Sequence, residues 1–258
     1  MIQIVRSADR YHIENEWLSA YWHFSFADYH DPHNVSFGPL RVFNNDTVAP
    51  GGGFPFHPHA EMEIVTYLIQ GQLEHRDTMG NTGVIHPGEI QRMSAGTGLR
   101  HSEFNPSDTE PTQLVQLWMF PAVPRLKPSW EQKAYPQEGR AGRLLPIAVP
   151  AGGIRGERNQ HTDKPAQAVE VHQDATIYTS LLAKGQSVTH VLAPGLPAEA
   201  SAKAGRRGYV FVIDGELNLN DQILRAGDQA RITGENELRL AGPSSGAAPA
   251  DFLLLNLP

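Results

Sequence analysis

Apolar residues along this chain come in short runs of β-branched and aromatic side chains rather than at helical spacing. Leu40–Phe43, Ile64–Ile69, Leu114–Phe120, Tyr209–Ile213 and Phe252–Leu255 are such runs, each bounded by Gly, Pro, Asn or Asp. Runs of this length between turn formers read as strands, and many of them in one chain read as a sandwich or barrel. Two polar stretches read as linkers, Asn105–Thr112 and Pro121–Gly153. The second has room for one short helix near Ser129–Lys133, and another helix or irregular segment is expected at Leu196–Ala204.

The pattern also repeats. Ile69-Gln-Gly-Gln-Leu73 resembles Ile213-Asp-Gly-Glu-Leu217, a strand, a glycine turn and a return strand. Downstream, the segment Ile85–Ser94 (IHPGEIQRMS) matches Leu224–Thr233 (LRAGDQARIT). The turn glycines lie 17 apart in the first copy (Gly71, Gly88) and 12 apart in the second (Gly215, Gly227), so the first hairpin carries five extra residues. Duplication of one β domain follows. It predicts an N-terminal domain over 1–125, a linker over 126–150 and a C-terminal domain over 151–258.

Composition narrows the class. Gly (24) and Pro (20) make up 44 of 258 residues, about 17%, above the average of about 12%, which favours turn-rich β structure over a helical bundle. Lys+Arg 21 against Asp+Glu 28 gives a net charge of −7, so the basic footprint of a nucleic-acid binder is absent. With no cysteine there is no disulfide, zinc ribbon or thiol nucleophile. The first residues, MIQIVRSADR, have no apolar signal region, and no run approaches 18 apolar residues. A cytoplasmic protein that does not contact the membrane is expected.

Histidine is distributed unevenly: nine of twelve fall within the first 101 residues. The segment Gly51–Glu63 (GGGFPFHPHAEME) places His57 and His59 at i and i+2, and Gly96–Asn105 (GTGLRHSEFN) does the same with His101 and Glu103. Strand side chains alternate faces, so each pair points one way. Two such strands facing one barrel interior can offer four ligands, and imidazole with carboxylate suits Fe, Mn, Co, Ni, Cu or Zn. Alternation would also place Glu61 and Glu63 in phase with the histidines, with Glu63 either orienting an imidazole or serving as a buried, hydrogen-bonded strand residue.

Other candidates are plainer. His75-Arg76-Asp77 lies in the longer hairpin, where a fixed turn salt bridge is expected, with orientation of a ligand as the other reading. His12, His30, His33, His86, His161 and His172 read as surface or loop residues. Gly51–Gly53 is followed by no helix start or Lys-Ser/Thr, which argues against a phosphate cradle. Ser94, Thr97 and Ser102 have no base partner at fixed spacing.

These motifs resemble a known family. The spacing from Gly51 through His57, His59 and Glu63 to Gly71 resembles the first cupin motif, one residue longer at its end. Gly98, His101 and Asn105 resemble the end of the second, with Gly96 where that motif has Pro. More narrowly, FGPLRVFNNDTVAPGGGFPFHPHAEMEIVTYLIQGQLEHRDTMGN, GEIQRMSAGTGLRHSEFN, FSFADYHDP and QLVQLWMFP resemble pirin-like bicupins, as does the half from His172 onward. The resemblance implies an all-β bicupin, two tandem jelly-roll barrels with a few short helices, and one divalent metal in the N-terminal barrel. It implies the ligands His57, His59, His101 and Glu103, leaves Glu63 outside the ligand set, and favours Fe(II) as the ion.

It further implies quercetin 2,3-dioxygenase chemistry on a flavonol and O2, releasing CO, with Glu103 as the general base that takes the 3-hydroxyl proton. The other reading it offers is a non-enzymatic, redox-sensing regulator that binds transcription factors or metabolic enzymes. A third is a metal-dependent isomerase or another dioxygenase, since fold does not fix function. The second copy retains a single His190 and no His-x-Glu, so a structural role is expected for it. Trp22-His23-Phe24-Ser25-Phe26 stands where the family reads His-Thr-Phe-Ser-Phe, so any role of that family histidine has no matching residue here.

Overall fold

The computed structural model describes residues 1–153, 167–192, 205–244 and 248–258. In the first half the strands are β1 (Ile2–Val5), β2 (Tyr11–Glu14), β3 (Leu18–Trp22), β4 (Leu40–Val48), β5 (Gly53–His59) and β6 (Glu63–Gln70). Then come β7 (Leu73–Asp77), β8 (Thr82–Ile85), β9 (Glu89–Ser94), β10 (Leu99–Phe104), β11 (Thr112–Met119) and β12 (Ser129–Ala134). The second half holds β13 (Leu145–Pro150), β14 (Val169–Val171), β15 (Thr176–Leu182), β16 (Ser187–Val191) and β17 (Arg207–Asp214). It ends with β18 (Glu216–Leu219), β19 (Gln222–Arg225), β20 (Gln229–Thr233), β21 (Glu237–Ala241) and β22 (Ala250–Leu257).

The chain forms two compact units, Arg10–Tyr135 with Val169–Gln173, and Met1–Asp9 with Pro136–Ala168 and Asp174–Pro258. In the first unit one sheet runs β12-β9-β6-β11-β4-β3-β2 and the other β5-β10-β7-β8. The second unit runs β1-β20-β17-β22-β15-β13 and β16-β21-β18-β19. From β9 to β3 and from β20 to β13 the orders correspond strand for strand, and the four-stranded sheets correspond throughout. The architecture is the all-β bicupin that the repeat and the resemblance implied. A short segment crosses the boundary in each direction: β1 closes the edge of the second unit beside β20, and β14 belongs with the first unit.

Each unit buries its core between its two sheets. In the first, Leu18, Ala20, Trp22, Val48, Leu68 and Leu114 of the larger sheet pack on Leu73 and Ile85 of the smaller. The turns that set this registry need glycine. Gly71 and Gly215 lie at φ +77° and +76°, and a Cβ there would come within 2.6 Å and 2.2 Å of the carbonyl oxygens of Pro111 and Pro249.

Residues 121–153 are not a plain linker. Where a short helix was expected near Ser129–Lys133, Ser129–Ala134 is a strand that pairs with β9 from Ser129 opposite Ser94 to Ala134 opposite Glu89. Its polar sequence suits an edge strand with Trp130 turned to the core, and tertiary pairing overrides local preference. Among the described residues the helical content is two 3-10 turns, Ser7–Asp9 and Gln137–Arg140. The segment expected at Leu196–Ala204, and His161, lie outside the described residues.

Candidate metal centre

Antiparallel pairing of β5 with β10 sets His101 opposite His57 and Leu99 opposite His59. A register shift between His101 and Glu103 follows, and on its other side β10 sets Glu103 opposite His75 of β7. Alternation then turns His57, His59, His75, His101 and Glu103 to the same, interior face of the small sheet. The rings of His57, His59 and His101 lie 4.4–4.8 Å apart between centroids. Their ligand atoms form one group that could hold a metal, and His75, His101 and Glu103 form a second. The four residues read from the sequence as ligands are thus brought to one face, together with His75.

The polar chemistry of the pocket is incomplete without a further occupant. Nε2 of His59, Nε2 of His101 and Oε1 of Glu103 are buried with no hydrogen-bond partner, a costly state for polar atoms. Imidazole nitrogens beside a carboxylate oxygen are the donor set of a divalent transition metal, so the residues present fit such an ion. His57 places Nδ1 2.8 Å from the carbonyl of Pro55, and donation there leaves its Nε2 lone pair free. His59 is pushed down to about 4 by burial and by the neighbouring His101 and His57, with Glu103 partly opposing. His101 is pushed down to about 3 by burial and by His57 and His75. Both rings are therefore neutral at pH 7, the form that binds metal.

Glu103 is held from one side. Gln116 Nε2 donates to Glu103 Oε2 at 2.7 Å, and Gln116 Oε1 accepts from Trp118 Nε1 at 2.9 Å. The Trp118 ring is in edge-to-face contact with His59 and with Phe26, at 4.7 Å and 5.4 Å between centroids. Asp46 of β4 is buried in the same interior, and its carboxyl is pushed up to about 8 by burial and by Glu103. Sequence reading missed Asp46, Gln116 and Trp118. A polar signal was present, since Gln116 and Asp46 interrupt apolar strands at inward positions, but it does not say what they face.

Several expectations change. A turn at residues 60–62, with Glu61 at φ +53°, separates β5 from β6, so the phase argument linking Glu61 and Glu63 to the histidines fails. Glu61 instead accepts from the backbone N–H of Arg125. Glu63 is fully buried on the larger sheet, where its Oε2 accepts from the backbone N–H of His172 at 3.0 Å. It is the buried strand residue of the two readings. His172 is no loose surface residue, since its Nδ1 lies 3.1 Å from Ser94 Oγ and 3.4 Å from Glu63 Oε2. One ring nitrogen faces both groups, whereas a serine triad needs one nitrogen for each.

Within His75-Arg76-Asp77 the expected turn contact is made by His75 Nε2 and Asp77 Oδ2 at 3.4 Å, without Arg76. Arg76 pairs with Glu74, while His75 is buried against His101. His12, His30, His33 and His86 are exposed, as expected. His23 lies on the face opposite the inward Trp22, stacked on Phe43 at 4.8 Å. Gly96 lies at φ +47°, and a Cβ there would come within 2.0 Å of the Leu126 carbonyl oxygen. Proline cannot take that φ, which accounts for the departure from the cupin motif.

The second unit has the same strands without the chemistry. His190 pairs with Leu238 as His57 pairs with His101, and Leu219 pairs with Leu240 as His75 pairs with Glu103. Leu192 follows His190 by two, as His59 follows His57. Leu192, Leu219, Leu238 and Leu240 are all buried in one apolar core.

Comparison with known proteins agrees with this geometry. Residues 5–119 match the family described as Pirin, and residues 162–257 match the quercetinase C-terminal cupin domain. A protein of Escherichia coli named quercetin 2,3-dioxygenase is 34% identical over all of this chain and 99% of its own. A pirin-like protein of Caulobacter vibrioides is 36% identical over 86% of each chain. A bacterial pirin of Escherichia coli, solved in complex with nickel(II), is 33% identical, covers 100% of this chain and 99% of its own, and superposes with a TM-score of 0.83. Among the described residues no helix is long and apolar enough to cross a membrane.

Proposed function

The chain belongs to the pirin family, and from that premise we propose that it is a metal-dependent dioxygenase that cleaves flavonols such as quercetin with O2 to a depside and CO. In this reading His57, His59, His101 and Glu103 hold the ion, and the ion is iron(II). The observation that carries it is the set of three buried, partnerless atoms, His59 Nε2, His101 Nε2 and Glu103 Oε1, converging beside His57. The nickel(II) complex of a relative supports a divalent ion here without choosing among metals. When bound, the ion supplies Lewis acidity toward a substrate oxygen and access to the redox chemistry of O2.

The protein's part is to hold, orient and deprotonate. The His59 and His101 imidazoles are neutral at pH 7 and need shed no proton to serve as ligands. Glu103 has Oε2 fixed by Gln116, so Oε1 is the atom that would serve both roles in turn, toward the ion at rest and toward the proton of a flavonol 3-hydroxyl once substrate is bound. Trp22, Phe26 and Trp118, in edge-to-face contact beside His59, offer an aromatic wall to a planar substrate.

The test is O2 uptake and CO release with quercetin, using iron-loaded protein beside His101→Ala. CO equal to the O2 consumed, and lost in the variant, is the expected result. Glu103→Gln should lose turnover while still holding metal, and a rate within a few-fold of wild type would remove the base assignment. Metal-loaded protein that releases no CO overturns the dioxygenase and favours a regulatory protein that binds a partner.

A further inference from the structure

We propose that His75 and Asp77 are positioning residues for the metal centre, fixing the tautomer and orientation of His101 through a buried carboxylate–imidazole–imidazole chain. The inference rests on the reading of His101 as a ligand. His75 is fully buried, with Nδ1 3.4 Å from Nδ1 of His101 and Nε2 3.4 Å from Asp77 Oδ2. Trp130 stacks over the His75 ring at 5.9 Å and 23°. Asp77 is pinned by its own turn: Oδ1 accepts from the backbone N–H groups of Met79 and Asn81 at 2.9 Å, and Oδ2 from Asn81 Nδ2 at 2.8 Å.

Counting protons gives the chain a direction. The carboxylate of Asp77 can only accept, so His75 carries its proton on Nε2 and presents a lone pair at Nδ1. His101 must then carry its proton on Nδ1 and donate it to His75. That leaves the lone pair of His101 on Nε2, the atom found buried without a partner among the His57 and His59 rings. With one proton on each ring and Asp77 as a carboxylate, the two contacts are both made in one arrangement, and it aims the lone pair at the metal position. A ligand imidazole whose far nitrogen donates to such a partner is held in place and made a stronger donor.

His75 also stands in a group with His101 and Glu103 whose atoms could hold a metal. His75 faces the opposite nitrogen of His101, so an ion between those two rings would strand His101 Nε2, and the chain accounts for both. The second unit lacks both parts together. Leu219 stands in the place of His75, and β18 and β19 are joined by two residues, with no turn like that of Asp77 to Asn81.

The experiment measures cobalt(II) affinity, by competition with a chelator, and the visible cobalt spectrum, in wild type, His75→Leu, His75→Gln and Asp77→Asn. Leucine should weaken binding by about 10- to 100-fold and shift the spectrum, with one ion per chain retained. Glutamine, whose oxygen can accept from His101 Nδ1–H, should restore most of the affinity. Asp77→Asn should shift the spectrum in the same direction with turn and fold intact by circular dichroism.

Wild-type affinity and spectrum in His75→Leu and Asp77→Asn overturn the proposal. So does a loss in His75→Leu as large as in His57→Ala with no rescue by glutamine, which makes His75 a ligand. If His75→Leu does not fold, glutamine and Asp77→Asn decide alone, and wild-type behaviour in both overturns the proposal. Wild-type binding by His101→Ala would instead show that the ligand reading beneath it has failed.

Discussion

His59 and His101 stay neutral far below neutral pH because each is buried among other imidazoles. An ion displacing protons from them therefore meets little competition near pH 7. Cobalt(II) affinity should be nearly flat from pH 8 to about 5 as far as these two rings set it, and fall steeply as pH approaches 4. Chelator competition across that range checks this, and a tenfold loss already at pH 6 would contradict it. Metal-free protein should lose stability as pH falls below about 6.5 toward 3, because the unfolded rings take up protons that the folded rings refuse.

Asp46 has the opposite sign. With its carboxyl raised to about 8, the unfolded chain ionises it first, so its contribution is most favourable below pH 4 and is lost as pH rises to 8. Asp46→Asn, which stays neutral throughout, should gain on wild type between pH 4.5 and 8 when metal-free proteins are unfolded in urea. An equal difference at both values would show that Asp46 does not titrate in this range.

At the scale of elements, paired strands decide where chemistry can stand. His-x-His and His-x-Glu were legible in the sequence because strand alternation alone turns each pair to one face. The five extra residues of the first hairpin were legible as a length difference, but their use was not, since Asp77 and His75 meet His101 only through the pairing of β7 with β10. In the second unit the corresponding strands carry Leu192, Leu219, Leu238 and Leu240, so the space for an ion is filled by hydrocarbon. Leu238→Ala should then cost roughly 2–5 kcal/mol of unfolding free energy, measured by denaturant titration, while leaving cobalt affinity unchanged. A change in cobalt affinity would contradict the assignment of metal binding to the first unit alone.

For the whole molecule, a ligand that binds only the folded state stabilises the part that holds it. Adding cobalt(II) should slow amide hydrogen exchange in β5, β7 and β10 and leave the matching strands β16, β18 and β21 unchanged, as read by mass spectrometry. Equal slowing in both sets would mean that the two units open together. The sequence by itself determined the all-β class, the duplication, and the His-x-His and His-x-Glu pairs that the first copy has and the second lacks, because glycine turns and strand alternation act over a few residues. The tertiary structure decided the rest. It made 129–134 an edge strand, sent β1 and β14 across the unit boundary, turned Glu63 away from the histidines, and brought Asp46, Gln116 and His75 beside Glu103 and His101. Each of those outcomes depends on which distant strands pair, and pairing is set by packing across the barrel that no short window of sequence contains.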